Sequence, residues 1–372
     1  MEKINSTEFI ESLTKKIKAE QGKMKAVNII IAGKSGVGKS TLINAAFREH
    51  LADTGTGLPV TKEIKLIEKA GVPLKIYDTV GLELEKKSQK STIKTIKQLI
   101  SEKRKNTDPA DDIHCMWYCV SAPSDRFEAM EKEFIASIAA FQVPVILVLT
   151  KVFSKQSAAQ FEESIRRQAP MVKKYIQVLA LGSESQAAFG VEELVEETYA
   201  LIPEAMQHSF ANAQKVSLGL KRKKSLKIVS ASVAATFGEG FVPIPIADAP
   251  LMISTQTAML AKITTIYGVD IEERKMETAI MSTAGIAGAT IAGKTAASSL
   301  LKLVPGAGTL LGGMISGGVA AAITTALGWA YIQLMEMVST GRLDLREVDE
   351  SELTAIFKKL LLKYIQDRFP GK

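Results

Sequence analysis

The chain has 372 residues, of which 46% are apolar and 23% charged, and its formal net charge is +7. This composition excludes a disordered chain, and the length suggests two or three domains. Two cysteines are too few for a disulfide framework, and Met1–Lys25 lacks the apolar core of a signal peptide. We therefore expect a cytoplasmic protein whose positive charge attracts an acidic partner, an anionic membrane surface or a nucleic acid.

The first segment, residues 1–25, carries a helical pattern. Phe9, Leu13 and Ile17 recur at helical spacing among glutamates and lysines between Asn5 and Gly22. This periodicity predicts one amphipathic N-terminal helix.

From Val27 onward, short apolar runs alternate with longer helical patterns. The predicted strands are Val27–Ala32, Glu63–Glu68, Pro73–Tyr77, Ile113–Val120, Pro144–Leu149 and Ile176–Leu181. This alternation is typical of an α/β fold with a doubly wound, mostly parallel sheet and helices on both faces. We assign it to residues 26–205.

Residues 206–372 differ in composition and predict a C-terminal all-α domain. A basic cluster at Lys221–Lys227 is followed by a segment rich in Ala, Gly, Ser and Thr, and Asp349–Phe369 has the pattern of an amphipathic helix. The stretch Leu303–Met335 has no charged side chain and is long enough to span a bilayer, but its small polar residues make it weakly lipophilic. We expect a buried helical hairpin here, with membrane insertion or reversible membrane association as the alternative.

The most informative motif occupies residues 33–40, between a predicted strand and a predicted helix. It reads Gly-Lys-Ser-Gly-Val-Gly-Lys-Ser, the G-x-x-x-x-G-K-S pattern whose backbone amides surround phosphate oxygens. Lys39 is expected to reach the β- and γ-phosphates, and the Ser40 hydroxyl to ligate Mg²⁺. The predicted phosphate-binding residues are Gly33, Ser35, Gly36, Val37, Gly38, Lys39, Ser40 and Thr41.

Two further segments predict a nucleotide-dependent switch. Asp78-Thr-Val-Gly81 follows a predicted strand, so Asp78 is placed to hold Mg²⁺ through water and Gly81 to donate its N–H to a γ-phosphate. Before it, Thr61 is placed to close over Mg²⁺ and the γ-phosphate, with Thr56 as the rival residue and the capping of a strand as the structural alternative.

The segments GKSGVGKSTL (33–42), PVT (59–61) and DTVGLE (78–83) resemble the translation-factor-related P-loop GTPases. The Era/TrmE-like branch, with its immunity-related and septin-like cousins, is the most similar. The resemblance extends from Val27 to near Pro203 and implies GTP/GDP and Mg²⁺ as ligands. Residues 240–269 resemble an uncharacterised helical domain that bacteria fuse to such GTPases.

The base-reading motif of these GTPases is incomplete in this chain. Thr150 and Lys151 fit the Asn/Thr-Lys-x-Asp pattern, but Phe153 stands where the family has the aspartate that accepts from guanine. Gly182, in Leu-Gly-Ser after the last predicted strand, is the expected final base contact. Guanine remains the expected base, and a base-unselective NTPase is the alternative.

The residue after Asp78-Thr-Val-Gly81 is Leu82, where the best-known small GTPases have a glutamine that orients water. We therefore expect slow basal hydrolysis in which Lys39 and Thr61 act catalytically, with acceleration supplied by a second protomer or a partner. The expected role is a switch whose nucleotide state controls the helical domain and its contact with membrane, self or partner. A homodimer through the G domain is a candidate assembly.

A basic segment, two cysteines and three histidines are the remaining candidates for partner, metal or catalytic sites. Lys86–Lys105 carries eight basic residues against one glutamate and predicts either a solvated helix face or a docking surface for acidic lipid or RNA. It lacks interleaved aromatic residues, which makes RNA or the ribosome the less favoured partner. A membrane-associating effector gated by nucleotide, peripheral at the inner membrane face, is the rival function. Burial is expected for Cys115 and Cys119 rather than zinc binding, and His50, His114 and His208 suggest no catalytic triad.

Overall fold

The computed structural model describes residues 6–48, 51–54, 56–61, 64–79, 86–106, 108–237, 244–245, 249–269, 314–315, 317–345 and 347–368. The chain divides into two compact units. One comprises Met24–Ser217, and the other combines Met1–Lys23 with Leu218–Lys372.

A seven-stranded sheet forms the centre of the first unit, with the order β2-β3-β4-β1-β5-β6-β7. Strands β4, β1, β5, β6 and β7 run parallel, while β3 is antiparallel to β4 and β2 antiparallel to β3. The strands are β1 (Val27–Gly33), β2 (Thr56–Pro59), β3 (Ile64–Glu68), β4 (Leu74–Thr79), β5 (Cys115–Ser121), β6 (Val145–Thr150) and β7 (Lys174–Gln177). The predicted doubly wound α/β sheet is confirmed.

Helices cover both faces of this sheet. They are α2 (Lys39–Ala46), α3 (Leu51–Thr54), α4 (Lys86–Lys103), α5 (Ala129–Ala139), α6 (Lys155–Gln168), α7 (Val191–Leu201) and α8 (Glu204–Ala213). The inner strands β1 and β6 are buried along their whole length, which explains their continuous apolar runs. On α4, Ile96 and Ile100 are buried while Lys90 and Lys94 are exposed, as the sequence pattern predicts.

Strand order reverses beside β1, because the chain reaches β4 on one side of it and β5 on the other. In open α/β sheets, ligands bind at the carboxyl ends of the strands at such a point. Residues 34–38, which follow β1, therefore lie at the expected position for a ligand site.

Two predicted boundaries shift within this unit. The strand predicted at Ile176–Leu181 lies instead at Lys174–Gln177, because the chain leaves the sheet after Val178 and Leu179 forms an isolated bridge with Phe189. The helical pattern after the motif at residues 33–40 predicts a helix from Thr41 to Leu51. The helix begins at Lys39 and ends at Ala46, because Phe47 turns away and stacks on Trp117 with ring centroids 5.5 Å apart.

The helical unit contains α1 (Ser6–Lys23), α9 (Leu218–Phe237), α10 (Ala249–Tyr267), α11 (Gly317–Ser339) and α12 (Glu350–Arg368), with a short ladder of β8 (Ile244–Pro245) and β9 (Met314–Ile315). Helix α1 packs on α10, and α9, α10 and α11 pack against one another. Gly328 allows α11 to approach α9 closely, since a Cβ there would lie 2.5 Å from Val229 Cγ2. The sequence pattern of this helix predicts one apolar face of Leu353, Ile356, Leu360 and Tyr364. On α12 the buried residues are Leu353, Phe357, Leu361 and Ile365, so the buried face lies one position later after Leu353.

The units divide the chain differently from the predicted boundaries at 25 and 205. Helix α1 belongs with the helical unit, where Lys16 Nζ donates to Ser254 O at 2.7 Å and to Thr257 Oγ1 at 2.7 Å. Helix α8 stays with the sheet and packs on β1 and β4, so the second boundary falls after Ser217.

Part of the basic cluster at Lys221–Lys227 has a structural role that composition alone did not reveal. Lys221 is buried, and its Nζ donates to Ile266 O and Tyr267 O, each at 3.2 Å. Arg222 pairs with the buried Glu336, with Nε 2.7 Å from Oε1. These two cations therefore hold helices together, which weakens the cluster as an argument for membrane binding.

The uncharged stretch Leu303–Met335 lies outside the described residues up to residue 313. Its later part forms α11, in which Leu327, Ala330 and Leu334 are buried. Within the described part of the chain, no helix is both long enough and apolar enough to cross a membrane.

Candidate functional site

The turn after β1 has the backbone conformation that surrounds an anion. Gly33, Gly36 and Gly38 have φ values of 145°, 73° and 100°, which residues with a side chain rarely adopt. A Cβ at Gly33 would also collide with the carbonyl oxygen of Cys119 on β5. The turn ends at the N-terminus of α2, where the helix dipole adds positive potential.

Lys39, the lysine of the G-x-x-x-x-G-K-S motif, lies over the backbone of this turn. Lys39 Nζ donates to Gly33 O at 3.0 Å and to Lys34 O at 3.3 Å. Because a phosphate oxygen is a stronger acceptor than a carbonyl oxygen, the ammonium is placed to exchange these bonds for phosphate contacts. Ser40 is exposed, and Ser35 and Gly36 are exposed at the turn.

Two residues predicted to contact the base also support the turn from β6. Thr150 Oγ1 donates to Val37 O at 2.6 Å and to Val120 O at 3.2 Å. Lys151, with φ of 55°, donates from Nζ to Gly36 O at 2.7 Å. The structure therefore brings Thr150 and Lys151 against the phosphate-binding turn, and their contact with a base stays a prediction.

Asp78 lies at the end of β4 with one carboxylate oxygen poised for a ligand. Its buried Oδ1 has no hydrogen-bond partner among the described residues. Burial raises the pKa of Asp78 above its ordinary value, and the positive charges of Lys39 and Lys65 partly oppose this shift. A buried carboxylate oxygen that lacks a hydrogen-bond partner and lies near Lys39 is a suitable ligand for a hydrated Mg²⁺. Carboxylates and hydroxyls bind this ion together with phosphate oxygens.

Among the other predicted switch residues, the structure describes the side chain of Thr61. Thr61 Oγ1 accepts from Ile64 N at 3.1 Å, so the structure shows it capping the start of β3. Gly81 and Leu82 lie outside the described residues, as does the side chain of Thr56.

The base end of the site combines exposed apolar side chains with a tight turn. Phe153 and Leu181 are 66% and 69% exposed, respectively. Gly182 has no room for a side chain, because a Cβ would lie 2.8 Å from both Ala188 N and Gln186 O. An open cleft of about 970 Å³ connects this loop with α2 and is lined by Ser40, Thr41, Leu181 and Glu192, among others.

The structure also reveals contacts that the sequence analysis missed. Lys34 Nζ lies 2.9 Å from Glu128 Oε1 and 3.6 Å from Glu131 Oε2, at the start of α5. A glutamate three residues before another at a helix start is a recognisable sequence signal for a cap. The pairing of these two glutamates with Lys34 depends on tertiary structure and has no sequence signal.

The cysteines and His114, which the sequence analysis does not assign to chemistry, have structural roles. Cys115 and Cys119 are fully buried, and burial raises the pKa of each thiol to about 12. No group of metal-ligating side chains is found among the residues that the structure describes. His114 is buried, its Nδ1 accepts from Asn28 N at 2.9 Å, and burial lowers its pKa. His50 lies outside the described residues.

The fold and the phosphate-binding turn define a P-loop nucleotide-binding protein. Residues 28–151 match the family model MMR_HSR1, described as 50S ribosome-binding GTPase, and residues 208–363 match the domain of unknown function DUF697. The chain thus carries a P-loop GTPase domain and a second, DUF697 domain.

Individual proteins are similar to parts of the chain. It is 27% identical to neuronal-specific septin-3 of Rattus norvegicus over 166 residues, covering 38% of this chain and 46% of the septin. It is 33% identical to magnetosome membrane protein 22 of Magnetospirillum gryphiswaldense over 104 residues, covering 28% of this chain and 53% of that protein. The solved structure of a probable GTP-binding protein engB shares 21% identity with a TM-score of 0.36, covering 47% of this chain and 98% of engB. The chain spans about half the length of the curated relatives it matches.

Proposed function

We propose that this chain binds GTP and GDP together with Mg²⁺, hydrolyses GTP slowly and uses the nucleotide state to control its helical unit. The observation that supports nucleotide binding most directly is the phosphate-binding turn. Three glycines at positive φ shape it, and the ammonium of Lys39 lies over its carbonyls. Such a turn at a helix N-terminus binds the phosphates of a nucleotide.

The proposed roles follow from position. Lys39 binds the β- and γ-phosphates, Ser40 and Asp78 hold Mg²⁺, and Mg²⁺ neutralises charge on the phosphates during transfer. Thr61 joins this set only when its hydrogen bond to Ile64 N opens, which makes β3 the element that responds to the triphosphate. Gly81 is proposed as the γ-phosphate contact. Leu82 has no group that orients water, which accounts for the slow basal rate that we expect.

Titration of the full chain with fluorescent GTP, GDP and ATP, with and without Mg²⁺, tests this proposal. We expect GTP binding that requires Mg²⁺ and that Lys39→Ala abolishes. Lys132→Ala is the matched control, because Lys132 is an exposed lysine on α5. Absence of Mg²⁺-dependent nucleotide binding in the unmodified chain would contradict the proposal.

A second candidate, a base-unselective NTPase, is favoured by one observation. Phe153 occupies the position of the guanine-accepting aspartate and points a 66% exposed aromatic surface to solvent. An aromatic surface stacks on any base, whereas a paired carboxylate discriminates between bases. Competition of labelled GTP by excess ATP decides between the candidates, since equal competition supports the unselective NTPase.

For the output of the switch we propose reversible contact with an anionic membrane surface. The support is the exposed basic residues of α4, including Lys90 and Lys94, and the likeness to a protein named for the magnetosome membrane. Flotation with anionic and neutral vesicles, with GDP or a non-hydrolysable GTP analogue, should show nucleotide-dependent binding to anionic vesicles alone. Salt-sensitive RNA binding without vesicle binding would favour a ribosomal role instead, in line with the description of the matching family.

We also propose that the G domain self-associates when it holds the triphosphate. The support is the incomplete catalytic set, which a second copy would complete. Sedimentation of the full chain with GDP and with a non-hydrolysable GTP analogue tests this, and a monomer in both states contradicts it.

A further inference from the structure

The side chain of Lys34 links the phosphate-binding turn to the start of α5. Its ammonium lies between two carboxylates, 2.9 Å from Glu128 Oε1 and 3.6 Å from Glu131 Oε2. Glu131 is 3% exposed and Lys34 is 28% exposed, so this pair is shielded from water more than surface pairs are. The hydrogen bond of Lys34 is to Glu128, and the shielded charge of Glu131 beside it further restricts the ammonium.

Glu131 is itself held in a fixed position. Its Oε2 accepts from Glu128 N at 2.9 Å, and its Oε1 accepts from the hydroxyl of Tyr118 at 3.1 Å. Tyr118 is fully buried on β5, and this burial raises its pKa well above the ordinary value, so the hydroxyl keeps its proton. The carboxylate of Glu131 therefore presents a fixed negative charge to the ammonium of Lys34, 3.6 Å away.

The backbone of Lys34 belongs to the turn that contacts phosphates. Its carbonyl oxygen accepts from Lys39 Nζ at 3.3 Å and from Val37 N at 3.4 Å. Because three glycines leave this turn conformationally free, side-chain contacts must determine which conformation it adopts without a ligand. A turn that is already ordered loses less entropy when it binds.

From these contacts we propose that Glu131, assisted by Glu128, is a positioning residue for nucleotide binding. By holding Lys34, the start of α5 sets the phosphate-binding turn in its binding conformation before the nucleotide arrives. This inference rests on the proposed function, in which the same turn holds the phosphates.

The rival role for Lys34 is direct attraction of phosphate by its charge. The two roles predict opposite changes in nucleotide affinity when Glu131 loses its charge. Glu131→Gln removes the fixed negative charge beside Lys34 and leaves its ammonium paired with the more exposed Glu128 alone, so Lys34 is held less tightly. If Lys34 acts by its charge, nucleotide affinity rises in this variant. If Lys34 acts by fixing the turn, nucleotide affinity falls.

Titration of the full chain with fluorescent GTP and Mg²⁺ shows whether nucleotide affinity rises or falls. We expect Kd to rise about tenfold in Lys34→Met, which loses the charge-assisted hydrogen bond to Glu128, and by a smaller factor in Glu131→Gln, which loses only the ion pair at 3.6 Å. The double variant should bind no more weakly than Lys34→Met, because that change already removes both contacts. Lys34→Arg should keep most of the affinity, and Glu133→Gln, an exposed residue on the same helix, should leave it unchanged.

Kinetics separate positioning from a general loss of structure. Positioning affects the ground state and the transition state equally, so KM should rise while kcat changes little. Glu131 also caps α5 through Glu128 N, but Lys34→Met leaves that cap intact, so the two variants distinguish the helix cap from the contact with the turn. Higher affinity in Glu131→Gln, or equal Kd values in all variants, would overturn the inference.

Hydrogen exchange in the nucleotide-free chain tests the same inference without any nucleotide. Amides of residues 35–39 should exchange faster in Lys34→Met than in the unmodified chain or in Glu133→Gln. If the unmodified chain binds no nucleotide, the proposed function fails while the exchange result still decides whether Lys34 orders the turn. Unchanged exchange in Lys34→Met contradicts the inference even if nucleotide binding is confirmed.

Discussion

The phosphate end and the base end of the candidate site differ in completeness. At the phosphate end, glycines, a lysine and an unsatisfied carboxylate oxygen converge on the edge of the sheet beside β1. At the base end, Phe153 and Leu181 expose apolar surface where a guanine-reading carboxylate is expected. We therefore expect binding of a triphosphate and selection of its base to be separate properties in this chain, so that each can be changed without the other.

The largest effect should come from the phosphate end. Asp78→Asn keeps the shape but removes the charge that we propose to hold hydrated Mg²⁺, so we expect the Mg²⁺-dependent gain in triphosphate affinity to fall about 100-fold. Titration of Mg²⁺ at fixed nucleotide measures this, with Asp125→Asn, an exposed aspartate on another loop, as the control. An unchanged Mg²⁺ requirement would remove Asp78 from the metal site.

Binding measurements over a range of pH values test the same role of Asp78. Burial raises the pKa of Asp78, so its carboxylate takes up a proton at a higher pH than a solvent-exposed aspartate. As the pH falls, Mg²⁺-dependent binding should therefore weaken before other carboxylates titrate, and this early loss should vanish in Asp78→Asn. Persistence of the early loss in that variant would assign it to another group.

The base end should respond more weakly and in the opposite direction. Phe153→Asp supplies an acceptor for the guanine N–H groups, so we expect the ratio of GTP to ATP affinity to rise about tenfold or more. Competition titrations with both nucleotides measure the ratio, and Phe153→Leu controls for loss of the ring alone. Equal ratios in Phe153→Asp and Phe153→Leu would show that this position does not face the base.

The smallest effect should come from the loop after β7. Gly182→Ala places a Cβ 2.8 Å from Ala188 N and Gln186 O, so the loop must shift, at a cost of about 1–3 kcal/mol in free energy of unfolding. Chemical denaturation measures it, and Gly22→Ala is the comparison without a clash, since a Cβ there meets no atom within 4 Å and alanine in helix α1 should raise the free energy of unfolding by up to about 1 kcal/mol. We expect base discrimination to weaken while Mg²⁺ dependence stays the same.

The phosphate end was the part most accessible from the sequence. A run of eight residues specifies its turn, and the apolar run before it specifies its strand, so local pattern and position agree. Asp78 was predicted as a site residue for the same reason, because it follows an apolar run that forms most of β4. Local signals sufficed where chemistry and secondary structure are encoded in adjacent residues.

Tertiary packing decided what the sequence pattern did not. Phe47 continues a helical pattern but leaves the helix to stack on Trp117, and Lys221 reads as a surface charge but is buried against the end of α10. The pairing of Lys34 with Glu131 joins residues far apart in the chain. No periodicity marks such contacts, because each depends on how separate elements meet.

Gly328 has a consequence for how the helical unit tolerates change. A single added methyl group at this position would enter the space that Val229 already fills. In a library of random variants selected only for folded protein, position 328 should therefore return glycine almost alone, while the exposed Lys358 and Lys359 of α12 accept many residues. Sequencing such a library would measure directly how closely these helices approach in solution.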